Sequence, residues 1–125
     1  MAHFIIDCSA AIIQQKTPGE IMDAVYETAE ATGLFAQDDI KVRIKPYQYY
    51  RLGKTKKNFI HIFGNIMEGR STEKKADLSK KTIERPKQLF SDVSILSVNI
   101  REFEMSTYSN KSLINPLNKN NNRHF

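Results

Sequence analysis

Among 125 residues there is one cysteine, no tryptophan, five glycines and four prolines. Cys8 has no second cysteine to pair with, so an intramolecular disulfide is excluded. Its place in an apolar run fits a core thiol in a reducing compartment. No stretch reaches the length of a membrane-crossing helix. The N-terminus lacks the basic region and long apolar segment of a secretory signal. A cytoplasmic protein with no membrane association is expected. His3, His61 and His124 are far apart and have no metal-ligand spacing with Cys8 or Asp7. Zinc-finger spacing, a glycine-rich phosphate loop and an aromatic ribonucleoprotein signature are all missing. No Ser-His-Asp or Cys-His pairing is suggested by spacing. The expectation is no metal, no cofactor and no nucleic-acid partner.

Acidic residues are also in deficit, 14 against 19 Lys plus Arg, for a net charge of +5. Such a field attracts anions in general, and small carboxylates or phosphates satisfy it as well as nucleic acid does. Hydrophobic residues make up 40% and charged residues 26%, which is ordinary for a globular chain and excludes a mostly disordered one. The length sets an expectation of one domain with one core. That domain is assigned to residues 1–110. Residues 111–125 form a polar, asparagine-rich tail, mobile unless a neighbouring subunit orders it.

Within the domain, His3-Phe4-Ile5-Ile6-Asp7-Cys8 reads as a strand largely buried on both faces. Thr17-Pro18-Gly19-Glu20 is a helix start, with Thr17 as cap, Pro18 in the first turn and Glu20 closing a capping box. Ile21, Met22, Val25 and Ala29 form its inward stripe, and Gly33 stands where a left-handed C-terminal cap belongs. Ile40, Val42 and Ile44 alternate with Lys41, Arg43 and Lys45, the period of a strand; Tyr47, Tyr49 and Tyr50 continue it. Asn58 to Glu68 is a third strand. Ser71 or Thr72 caps a second helix in which Ala76, Ile83 and Phe90 repeat at heptad spacing, and Pro86 should kink or break it. Ile95 to Met105 is a fourth strand.

The order strand-helix-strand occurs twice, and Asn58-Phe59-Ile60 echoes His3-Phe4-Ile5 as a weak internal repeat. Each unit implies a parallel pair with a right-handed crossover, so both helices cover one face of a four-stranded sheet. The opposite face is left bare and half apolar, which implies oligomerisation.

Arg70 is the most informative charge. It lies between Gly69 and Ser71 where a strand runs into a helix, beside free backbone N–H groups that favour an anion. The plain alternative is a solvated turn arginine. Lys41 and Arg43 point to one face of a strand and can converge on an anion, or form a solvated or subunit-facing stripe. Lys54, Lys56 and Lys57 suit a soluble turn.

Met1-Ala2-His3-Phe4-Ile5-Ile6-Asp7-Cys8-Ser9 resembles the N-terminus of 5-carboxymethyl-2-hydroxymuconate isomerases, a branch of the tautomerase superfamily. Members of that family begin Met-Pro-His-Phe, followed by apolar residues, an acid and Cys-Ser. The likeness continues in order at Ala31-Thr32-Gly33-Leu34-Phe35, at Gly69-Arg70-Ser71 and faintly at Leu117-Asn118. It implies an α+β fold of duplicated β-α-β units, a mixed four-stranded sheet with two helices on one face, assembled as a homotrimer around its sheets. It also implies isomerase chemistry of aromatic-compound catabolism. An N-terminal proline, exposed by methionine removal, shuttles a proton between carbons of an unsaturated oxo- or hydroxy-diacid, and arginines hold the carboxylates.

Arg70 falls on one such arginine; Lys41 stands at the other, with Arg43 two residues on. Two departures matter. Ala2 replaces the proline, so the base would be a primary amine, which turns more freely than a proline ring and can also form a Schiff base. Lys41 is a point charge where a planar fork binds a carboxylate bidentately. The resemblance therefore implies Ala2 and Arg70 as catalytic residues and Lys41 and Arg43 as substrate-binding ones. The alternative is a weak or inactive trimeric homologue that binds small carboxylates.

Overall fold

The computed structural model describes residues 1–111. Four strands form one mixed sheet: β1 (Ala2–Ser9), β2 (Ile40–Tyr47), β3 (Phe59–Met67) and β4 (Ile95–Phe103). The order across the sheet is β2-β1-β3-β4. β1 runs parallel to β2, β3 runs parallel to β4, and β1 and β3 meet antiparallel at the centre. The chain is thus two β-α-β halves joined edge to edge through their first strands. A four-residue helix α1 (Ile12–Gln15) precedes the two long ones, α2 (Pro18–Ala31) and α3 (Thr72–Leu89).

Helix α2 starts as its sequence dictates. The Thr17 hydroxyl accepts from the Glu20 N–H at 3.2 Å, and the Glu20 carboxylate accepts from the Thr17 N–H at 3.3 Å. Ile21, Ala24, Val25 and Ala29 are buried, and Gly33 leaves the helix at a φ of +71°, a conformation glycine adopts without strain. Helix α3 is capped by Ser71, whose hydroxyl accepts from the Lys74 N–H at 3.2 Å. Between helices and sheet lies the core, in which Phe4, Ile6, Ile21, Ile60, Ile62, Ile66, Leu78 and Phe90 are all fully buried.

Several expectations are corrected. Pro86 does not break α3, which continues to Leu89. Proline forfeits one N–H, the one that would reach Thr82, and so near the helix end little of the hydrogen-bond ladder is at stake. The inward stripe of α3 is Leu78, Thr82 and Pro86, at a spacing of four; of the three heptad residues Phe90 is buried, Ile83 is half-buried and only Ala76 is exposed. The Thr82 hydroxyl, buried there, donates to the Leu78 carbonyl at 2.7 Å, which removes its desolvation cost. β2 ends at Tyr47 and β4 at Phe103, short of Tyr49, Tyr50 and Met105. β1 is not buried on both faces within one chain: Ala2, Phe4, Ile6 and Cys8 are buried, whereas His3, Ile5 and Asp7 are half-buried. From residue 112 onward, the tail expected over 111–125, with His124 and Leu117-Asn118, lies outside the described residues.

Candidate active site

Strand β1 begins at Ala2 in the sheet's interior, so hydrogen bonding and packing draw the chain terminus into the fold. Met1 is 5% exposed and Ala2 is fully buried. Burial lowers the affinity of the terminal amine for a proton. Lys41 and Arg70 lower it further and Asp39 opposes them, so its pKa moves from 8.0 down to about 6. Those three side chains are therefore close enough to bias the amine's charge, and two of them are residues singled out from sequence.

Arg70 reaches this place through a chain of local constraints. Gly69 has a φ of +114°, open to glycine but strained for other residues, and this turn carries the chain from β3 into α3. One Arg70 Nη donates to the Leu34 carbonyl. The guanidinium lies 5.2 Å from the centre of the Phe35 ring, within range of a cation–π contact. Leu34 is itself held, because its N–H donates to the Thr32 hydroxyl at 3.2 Å. Phe35 is buried and packs edge-on against Phe4 at 6.3 Å. The run Thr32-Gly33-Leu34-Phe35 thus works as the socket for Arg70.

Lys41 lies on β2 directly opposite His3, half-buried, with its Nζ 3.8 Å from the Met1 sulfur. Arg43 is on the same face but is turned elsewhere: it contacts the His3 ring at 3.4 Å and lines a neighbouring cavity. The structure gathers Lys41 and Arg70 around the amine and sets Arg43 beside them. Asp39 was not foreseen. The acidic pair Asp38-Asp39 immediately before β2 was the available signal, and nothing in its spacing tied it to the N-terminus. Among the described residues there is no group of three or more His, Cys, Asp or Glu side chains placed to hold a metal. No helix among them is long and apolar enough to cross a membrane.

A half-buried amine that is largely neutral near pH 7, beside a lysine and an arginine, can accept a proton from an anionic carbon acid and return it elsewhere. The duplicated β-α-β sheet with this terminus places the chain among proteins of the tautomerase fold. The sequence model of the 5-carboxymethyl-2-hydroxymuconate isomerase family matches residues 2–121, and the chain belongs to that family. A search of curated protein sequences finds no match. Among solved structures, a 5-carboxymethyl-2-hydroxymuconate isomerase from Deinococcus radiodurans R1 is similar over 88% of each chain at 20% identity, with a TM-score of 0.77. A 5-carboxymethyl-2-hydroxymuconate delta-isomerase covers 89% of this chain and 87% of its own at 13% identity, TM-score 0.70. A fused 4-OT described as a wild-type symmetric trimer covers 87% and 93% at 16% identity, TM-score 0.71.

Proposed function

We propose that the protein is a tautomerase-type isomerase that moves a proton between carbons of a small unsaturated oxo- or hydroxy-diacid. With Met1 removed, the Ala2 nitrogen is the proton shuttle. It takes a proton from the carbon next to the carbonyl, leaving a dienolate, and returns it to a more distant carbon. Arg70 clamps a carboxylate and, with Lys41, stabilises the negative charge that develops on the enolate oxygen. The observation that carries this reading is the chain terminus itself: Ala2 is fully buried at the start of β1, and the charges of Lys41 and Arg70 reach the amine of the residue before it. The Ala2 nitrogen is a primary amine and lacks the ring that fixes a proline nitrogen.

In the same reading the chain works in the cytoplasm, in the breakdown of aromatic compounds, as a homotrimer packed through the open sheet face. Half-buried Ile5, Phe59, Phe63 and Ile95 on that face supply apolar surface for such packing. A second reading is favoured by Ala2 and Lys41 standing at the family's proline and arginine: a trimer that binds small carboxylates without turning them over.

Intact-mass analysis combined with an enol-to-ketone absorbance assay separates the two. The isomerase reading expects a chain lacking Met1, measurable turnover, and a loss of about 100-fold or more for Arg70→Ala, the scale of removing one charge-stabilising group. A retained Met1, or turnover indifferent to Arg70→Ala, contradicts it. Dicarboxylate binding without turnover selects the second reading.

A further inference from the structure

Strand β1 is paired on both sides from its first residue. Ala2 stands opposite Ile40 on β2 and Ile66 on β3. Its side chain is fully buried, and Met1 in front of it is only 5% exposed. Chain ends usually fray because few contacts hold them; this one is covered and leads directly into the middle of the sheet.

Met1 also occupies the ground on which the chemistry is to happen. Its sulfur lies 3.8 Å from Lys41 Nζ, and the charges of Asp39, Lys41 and Arg70 all act on its amine. A thioether is a weak acceptor and carries no charge, so Met1 covers the Lys41 ammonium without neutralising it.

We propose that Met1 is a plug sealed in by folding: the Met1–Ala2 bond is open to a methionine-specific aminopeptidase only before β1 takes its place in the sheet, and a chain that folds with Met1 retained stays closed. In the cleavage, water adds across the amide. Its hydroxyl goes to the Met1 carbonyl carbon, the C–N bond breaks, methionine leaves, and a proton from the water completes the Ala2 amine. To present that amide to an enzyme, Met1 must leave the fold and Ala2 must give up its neighbours on β2 and β3. In the folded chain this happens only in a transiently open state, and cleavage is slowed by the small fraction of chains that are open. Packing of copies on the open sheet face, where His3 and Lys41 lie, lowers that fraction further.

Synthesis supplies the interval the cleavage needs. β1 cannot be paired on both sides until β3 (Phe59–Met67) has been made, and at roughly 5–20 residues per second the terminus stays free for some seconds. The order of cleavage and folding stands on burial and pairing alone; that the uncovered Ala2 nitrogen then shuttles protons rests on the isomerase reading above.

Reconstituted translation of the full chain, with a deformylase present throughout, tests this order. A purified methionine aminopeptidase is supplied either from the start of synthesis or only after folding is complete, and intact mass reports whether Met1 remains. A peptide of residues 1–12 is the unfolded comparison. The peptide and the chain made in the presence of the enzyme are expected to lose Met1, and the folded chain to lose it about 100-fold or more slowly than the peptide. Peroxide reads the burial separately. In the folded, Met1-retaining chain, Met1 should form its sulfoxide about tenfold or more slowly than in the same chain unfolded in urea. Trimming of the folded chain at the rate of the peptide, no trimming in any arm, or equal oxidation of Met1 in the folded and unfolded chains overturns the proposal. A trimmed chain without turnover contradicts the isomerase reading alone, since neither mass nor oxidation depends on activity.

Discussion

The Arg70 guanidinium is held by the Leu34 carbonyl and the Phe35 ring, so its direction is set before any ligand arrives. Arg70→Lys keeps the charge but gives up the planar fork and the ring contact. A loss of about tenfold or more in kcat/KM, less than that of Arg70→Ala, is the expected outcome in the absorbance assay. The terminal amine makes a second expectation. The Ala2 amine must be neutral to accept a proton, and burial beside Lys41 and Arg70 lowers the pKa of an amine at this end of the chain, to about 6 for that of Met1; a shift in the same direction at Ala2 makes kcat/KM fall as pH drops into the acid range. The same shift bears on stability. An amine with a folded value of about 6 against 8.0 unfolded leaves folding unpenalised above about 8, and its penalty grows as pH falls and is complete below about 6. Arg70 stood out in the sequence as an arginine between Gly69 and Ser71 at a strand-to-helix junction, a place equally suited to a solvated turn residue, and it was the family resemblance that pointed to the site. Asp39 did not stand out, because its role depends on a terminus that approaches it only after β1 and β2 have paired.

At the scale of elements, local chemistry was read well where one side chain acts on its own backbone. The Thr17–Glu20 capping box, the Gly33 exit and the Ser71 cap are all of this kind. Thr17→Ala should lower stability by about 1 kcal/mol, the usual loss for an N-cap, measurable by urea unfolding with no effect on turnover. Faces were harder to read. The four-residue stripe of Leu78, Thr82 and Pro86 includes a threonine and a proline, which a search for apolar periodicity passes over. Helix α1 is too short to show a period at all. The turn before α3 joins element to site: Gly69→Ala forces an L side chain to a φ of +114°. A loss of about 1–2 kcal/mol follows, and activity should fall as well because Arg70 is displaced from its socket. An unchanged melting temperature with unchanged turnover would show that this turn positions nothing.

For the whole molecule, the two β-α-β halves place both helices on one face and leave the other to His3, Ile5, Lys41, Arg43, Phe63 and Arg101. The bare face was legible from the order of elements alone, since parallel crossovers of one hand put their helices on one side. Its two separate basic clusters were not. Lys41 and Arg43 are equivalent by alternation along β2, and only the cross-strand neighbours His3, Asn65 and Arg101 send Arg43 to a different cavity. In sedimentation velocity, Ile5→Lys on this face should shift the assembly toward monomer, whereas the exposed Glu27→Lys on α2 should not.

The proposed role of the terminal amine beside Lys41 and Arg70 is tested most directly by blocking that amine. Turnover of the singly N-terminally acetylated protein should fall at least 100-fold with melting temperature and assembly unchanged. Full turnover after complete terminal acetylation would contradict the amine's role as the proton shuttle.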